Sequence, residues 1–468
     1  MVTIQETELI EGIRSALIRS KNLNKPILVS EVHKIDKINP LSFFYAGKEL
    51  FHGERFFWKD PSDMSIIVGL GICKQIQSDQ SKDRFFHVEK EWKTFIQDGI
   101  VHATHSVHGV GPTMFGGFSF DPLKPNTDLW SKYPHTLFHL PKYMLSIIEG
   151  QTYLTTNILC TKNDDESLAM KVNNERTKLL KQLTEPFFEK ENNPYNIEEM
   201  NPDGWKESVK NAVADLQKGT LKKVVLAREL RLIFNQVIEV ESVLHHLLNE
   251  QKKSFVFAFE SNGDCFIGAS PERLVKKEDK VLFSTCLAGS TARGKSVEED
   301  DRLGNNLLSD SKNLIEHQYV VDMIRKAMED FCIELTIPNE PVLMKMKDIQ
   351  HLYTPVTGIS KENTSLLQIV EHLHPTPALG GMPKLQAIEK IREIEEMDRG
   401  FYAGPIGWLD TNGNGEFAVA IRSGLIQGKE ASLFAGCGIV EDSNADSEYE
   451  ETNIKFRPML NALGGKNK

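Results

Sequence analysis

The chain has 468 residues, with 55 Lys and Arg against 66 Asp and Glu and a net charge of −11. That balance excludes a general binder of nucleic acid or anionic membrane, which needs a basic face, and no run approaches the roughly 18 apolar residues of a membrane-crossing helix. An apolar share of 40% and a charged share of 26% suit a globular protein of about three units, or one large fold with insertions. The opening stretch, MVTIQETELIEGIRSALIRSKN, carries early acids and no apolar core of a secretory signal. Cys73, Cys160, Cys265, Cys286, Cys332 and Cys437 are scattered without a CxxC pair. They read as buried thiols of a reducing cytoplasm, not as disulfides or a zinc site.

Up to about residue 160, short β-like runs alternate with aromatic and glycine clusters: Phe43-Phe44-Tyr45, Phe56-Phe57-Trp58 and His108 to Phe120. Phe115, Phe118 and Phe120 around Gly116-Gly117 predict a bulged or tightly turned strand. His102, His105 and His108 are spaced so that they drift around a helix, and they are not read as a metal site. Residues 161–204 are charged and rich in Asn and Pro, with one helical patch from Leu179 to Phe188. A soft boundary near Asn201-Pro202 separates an N-terminal part, 1–203, from a region 204–468 where the patterns sharpen.

Trp205, Val209, Val213 and Leu216 recur at helical spacing, and Gly219 stands where the helix should end. Lys222 to Arg228 is a β-branched run. Phe255, Phe257 and Phe259 form one strand face, Asn262-Gly263 signals a hairpin, and Cys265 to Ala269 returns. Helices are expected over 311–331 and 384–397, a hairpin over 402–409 and 415–425, and a strand over 432–437. Hairpin-joined strands with interspersed helices predict an α+β fold with an antiparallel core.

Several polar groups sit where such a fold wants apolar ones. Lys223 opens a buried-looking strand; it is either a solvated strand end or a base whose pKa is lowered by burial. Gly268 to Glu272 ends a strand at Pro271 and delivers a carboxylate. Lys312 and Glu316 are spaced for an ordinary helical ion pair. Glu448, Glu451 and Lys455 share a helix face, which in isolation is a solvated acidic surface. On the run Glu416 to Ile421, Ala418, Ala420 and Arg422 share a face that leaves room around a guanidinium. Gly289-Ser290, Gly358 and Gly436-Cys437-Gly438 offer amides that a ligand can approach.

Read in order, Lys223 to Arg228, Gly268 to Glu272, Leu287 to Ser290, Glu316-His317, His374-Pro375-Thr376-Pro377-Ala378, Ala418 to Arg422, Ala435 to Val440 and Glu451 to Lys455 resemble the chorismate-utilising enzymes. The resemblance is strong over about 204–465 and weak before. It implies a large two-sheet antiparallel β-sandwich core with flanking helices, like anthranilate synthase component I, with the N-terminal part adding strands to the same fold. The segment HPTPA resembles isochorismate synthases, since amine-transferring members carry a different pair after HPT. The long N-terminal half resembles the menaquinone-pathway type. Salicylate synthase, a siderophore-pathway isochorismate synthase and anthranilate or aminodeoxychorismate synthase component I are the alternatives.

The resemblance also assigns roles. Lys223 matches the general base and Glu272 the general acid. Glu316 and Glu451 match ligands of Mg²⁺, with Glu448 reaching the ion through water. Arg422 and Lys455 would hold the carboxylates of chorismate, helped by Gly289 and Gly436, with Ala378 and His351 lining the pocket. A cytoplasmic monomer is expected, with a dimer as the alternative and with neither nucleic acid nor membrane as partner. Asn313 stands where many relatives have an acid, and Pro458 is expected to kink the helix that carries Lys455.

Overall fold

The computed structural model describes residues 7–102, 107–185, 193–219, 221–347 and 349–464. Its described strands form one hydrogen-bonded array, almost wholly antiparallel; Ile27–Ile35 and Ile100–His102 run parallel. The array has two arms. One runs from Ile27–Ile35 through Gln151–Cys160, Thr136–Ile148, Ser65–Ser78 and Arg55–Lys59. It continues through Phe255–Ser261, Asp264–Ser270, Ser423–Gln427 and Glu430–Ile439 to Lys223–Phe234. The other leaves through Thr113–Phe118 and runs over Pro405–Asp410, Gly415–Val419, Arg273–Glu278 and Val281–Ala292 to Ile349–Ser360. Thr136–Ile148 belongs to both arms. Its residues 136–139 pair with 115–118, and its residues 143–148 pair with 151–156.

Aromatic side chains fill the space between the arms. Phe115 stacks on Phe56 at 4.6 Å and meets Phe259 at 5.4 Å, joining strands of opposite arms. Helices Thr7–Leu23, Val240–Glu250 and Ala445–Ala462 cover the other face of the first arm with Leu9, Ile13, Leu244, Leu247, Phe456 and Met459. This is the expected α+β architecture with flanking helices. The N-terminal part supplies partners to the later strands three times: residues 56–59 pair with 256–259, residues 113–117 pair with 406–410, and residues 195–199 pair with 230–234. No described helix is long and apolar enough to cross a membrane.

Local expectations change in places. Phe43-Phe44-Tyr45 lies in a helix, Pro40–Ala46, because Asn39 caps Leu41 N and Ser42 N and Pro40 stands in the first turn. The glycines at 116 and 117 sit in a regular strand without a bulge. They are needed for close packing: a Cβ on Gly116 would lie 2.0 Å from the Leu137 carbonyl oxygen, and one on Gly117 2.4 Å from that of Pro405. The helical patch at 179–188 corresponds to the end of helix Ser167–Lys181; residues 186–188 lie outside the described ones, as does His105. His102 ends a short strand, and His108 meets Asp279 at 3.2 Å. Helix Ala445–Ala462 continues through Pro458.

Candidate functional site

Lys223 begins strand Lys223–Phe234, whose neighbour across the ladder places Gly438 opposite Val225. A Cβ on Gly438 would stand 2.5 Å from Lys223 Cε and 3.1 Å from Nζ, so the absent side chain is the channel through which the lysine reaches inward. Its Nζ donates to Glu316 Oε1 at 2.5 Å. Glu316 lies on helix Ser311–Glu329, whose start is capped by Asp310 accepting from Asn313 N. The ordinary Lys312–Glu316 pair that the spacing allows does not form: Lys312 turns outward to Asp442 at 3.0 Å while Glu316 meets Lys223. Asn313 spends its amide on Asp310.

Strand Asp264–Ser270 stops at Pro271, and Glu272 follows. Ser270 Oγ accepts from Glu272 N at 3.2 Å, and the Glu272 carbonyl accepts from Val419 N at 3.0 Å, fixing the backbone. Glu272 is 6% exposed. Burial pushes its carboxyl up to about 7, against the pull of Lys223, Arg422 and the Thr376 hydroxyl. The strand expected to carry Arg422 ends earlier, at Val419. Arg422 is delivered by a turn, with φ of 52°, and its carbonyl accepts from Ala269 N at 3.0 Å. Burial lowers the pKa of its guanidinium, opposed by Tyr402, Glu451 and Glu272.

Helix Ala445–Ala462 presents Glu451 and Lys455 one turn apart. Lys455 Nζ donates to Glu451 Oε1 at 2.6 Å and to the Gly436 carbonyl at 2.8 Å. Gly436 thus contributes its carbonyl, not its amide, to this contact. Burial pushes Glu451 up, but Lys455, Arg422 and Lys223 outweigh it and hold its carboxyl below the usual value. Glu448 accepts from Ser443 Oγ at 2.8 Å, and its carboxyl is raised by burial, with Glu451 adding to the effect. Gly289 has φ of 77° within a register shift between Leu287 and Ser290, and Ser290 pairs with His351. Burial, with Arg422 and Lys455, drives His351 down to about 3, so its imidazole is neutral at pH 7.

These groups surround one cavity of about 230 Å³. Lys223, Glu272, Glu316, Glu451, Arg422, Lys455, Gly289, Gly436, Ala378 and His351 all line it. Glu448, on the same helix as Glu451, is not among the residues that line it. Residues 11–464 match the family of chorismate binding enzymes. The chain belongs to that family. It is 44% identical over 472 aligned residues to isochorismate synthase MenF of Bacillus subtilis, covering 99% of each chain. It is 34% identical to the salicylate biosynthesis isochorismate synthase of Pseudomonas aeruginosa, over 96% of this chain and 94% of the relative. Among solved structures, the menaquinone-specific isochorismate synthase MenF of Escherichia coli superposes with a TM-score of 0.77 at 23% identity, over 98% and 100% of the two chains. Anthranilate synthase component I of Streptococcus pneumoniae does so at 0.70 and 21%, over 85% and 92%. These two likenesses establish the shared fold.

In this member of the family, the cavity is also walled by Gly438, from the glycine pair noted in the sequence, and by Arg399, Tyr402 and Leu379, which the sequence did not mark. Arg399 falls just past the helix expected over 384–397, and Tyr402 at the start of the hairpin strand expected over 402–409. Arg399 is turned inward by its bond to the Val225 carbonyl of strand Lys223–Phe234, and Tyr402 packs its ring 5.4 Å from Phe434. Among the described residues no group of three or more His, Cys, Asp or Glu side chains is arranged to hold a metal ion. Glu316 and Glu451 nonetheless offer to the same cavity the carboxylate oxygens that a hard divalent cation takes. Each is engaged with a lysine.

Proposed function

We propose that the protein is an isochorismate synthase of the menaquinone-pathway type, an isomerase that converts chorismate to isochorismate. Water adds at C2, the C4 hydroxyl leaves, and the ring double bonds shift between them, so the overall composition is unchanged. The observation that carries the reading is Glu272: a buried carboxyl held up to about 7, in the same cavity as Lys223. A group with that pKa keeps enough of its proton near neutral pH to give it to a departing hydroxyl. The full-length similarity to the Bacillus subtilis enzyme supports the same activity.

In this reading Lys223 takes the proton of the attacking water and Glu272 protonates the leaving oxygen. Arg422 and Lys455 hold the substrate carboxylates. A unit-charge pair at 4 Å is worth about 4 kcal/mol at an effective dielectric near 20, enough to anchor a dicarboxylate on a chain of net negative charge. Ala378 leaves room for a water beside C2, and neutral His351 lines the wall without adding charge. Glu316 and Glu451, with Glu448 reaching it through water, would hold Mg²⁺, which would supply positive charge against the ring carboxylate.

The test is product analysis. Purified protein with chorismate and Mg²⁺ is expected to yield isochorismate by mass spectrometry and NMR, with turnover abolished by excess chelator and restored by Mg²⁺. Salicylate with pyruvate would indicate a salicylate synthase, and an aminated product a different family branch. Full turnover in chelator would remove the cation from the reading. Restoration of menaquinone in a strain lacking its own isochorismate synthase tests the pathway.

A further inference from the structure

The cavity wall behind Lys223 and Ala378 contains a buried ion pair that the reaction above does not use. Arg399 lines this cavity, and Glu395 lines a second one of about 430 Å³. Their side chains are 4% and 3% exposed. Arg399 Nε donates to Glu395 Oε2 at 2.8 Å, and Arg399 Nη2 donates to Oε1. Two backbone carbonyls take further guanidinium bonds: Nη1 donates to Leu379 at 3.1 Å and Nη2 to Val225 at 2.8 Å. Glu395 Oε1 also accepts from Ala227 N at 2.7 Å. The guanidinium lies over the Phe120 ring at 4.2 Å.

Where those bonds land is the point. Val225 and Ala227 belong to the strand that Lys223 begins. Along the edge concerned, Gly381–Met382 pairs with that strand at Val224 and Lys223, and Tyr195–Glu199 pairs from Leu230 onward. Between them the ion pair occupies the place of a missing strand. Leu379, the other anchor, directly follows Ala378. One rigid fork therefore ties the strand of the base to the segment beside which the water would stand. A buried ion pair carries a desolvation penalty that apolar packing would avoid, and a lysine lacks the planar fork that reaches separate acceptors.

We propose that Arg399, held by Glu395, is a positioning residue that sets Lys223 against Ala378 and so aligns the base with its water. The inference rests on the proposed isochorismate synthase activity. Its test is a double-mutant cycle of Arg399→Lys with Lys223→Ala, read with thermal unfolding and with KM and kcat for chorismate. In the parent, Arg399→Lys is expected to lower kcat by about 10- to 100-fold with KM within about threefold. In the Lys223→Ala background, with no base left to align, it should lower residual kcat by less than about threefold. A purely architectural role would give the same loss in both backgrounds, or a loss that tracks unfolding, and either result overturns the proposal. If Arg399→Lys does not fold, Glu395→Gln, which keeps an acceptor and removes the charge, takes its place in the cycle with the same expectation. Absence of isochorismate from the parent would instead remove the functional reading itself.

Discussion

Glu272 and Lys223 line the same cavity, and the roles given to them separate in kinetics. Lys223→Ala and Glu272→Gln are each expected to lower kcat at least about 10²-fold while binding chorismate within about tenfold of the parent. Arg422→Ala should chiefly raise KM, because it removes binding shared by ground and transition states. Calorimetry with steady-state kinetics decides this; near-parent kcat in Lys223→Ala would mean the base is misassigned. Glu272 also leaves a mark on stability. Its carboxyl is raised from the ordinary 4.5 to about 7 by burial, so between those pH values the folded chain keeps a proton that the unfolded chain releases. Its contribution is fully present below about 4.5 and is lost as pH rises through about 7, at about 1.4 kcal/mol per unit. Glutamine stays neutral throughout. Glu272→Gln should match the parent near pH 4.5 and exceed it by up to about 3 kcal/mol near pH 8 in urea unfolding. Parallel stability curves for the two proteins would show that the carboxyl is not held up.

At the scale of elements, the site is assembled where regular structure stops. Strand Asp264–Ser270 ends at Pro271, strand Gly415–Val419 ends short of Arg422, and strand Lys223–Phe234 has just begun at Lys223. The segment Glu430–Ile439 contributes by lacking side chains. Gly438→Ala puts a methyl 2.5 Å from Lys223 Cε. That contact is with the far end of a flexible chain, so the lysine moves and the strand does not. The variant is expected to unfold within about 0.5 kcal/mol of the parent, as substitutions without a core defect do, yet to lose at least about tenfold in kcat. A fully active Gly438→Ala would show that the lysine does not need its present path.

Across the whole molecule, the two arms depend on each other. Arg55–Lys59 and Thr113–Phe118 hydrogen-bond to strands of the later region, and Phe115 packs between Phe56 and Phe259. We therefore propose that 1–203 is part of one fold and not a separable domain. Residues 204–468 expressed alone would expose unpaired edges at Phe255–Ser261 and Pro405–Asp410 together with the aromatic interior, and aggregation is the expected result. A soluble, cooperatively unfolding 204–468 fragment would restore the boundary near Asn201.

What the sequence determined by itself was local. Period-two and helical patterns and the Asn262-Gly263 turn marked the strands and helices after Trp205 because their signals lie within a few residues. The ordered motifs marked Lys223, Glu272, Glu316, Arg422, Glu451 and Lys455 through resemblance, and these residues meet in one cavity. Tertiary structure alone decided partners. Glu316 reads as the neighbour of Lys312, but the helix turns it toward Lys223, from a segment far away in the chain. Phe43-Phe44-Tyr45 reads as strand, but a cap at Asn39 and burial among the outer helices make it helical. Arg399 carries no local mark at all. Its place depends on the meeting of a loop, a strand edge and the Ala378 segment, and no sequence window contains all three.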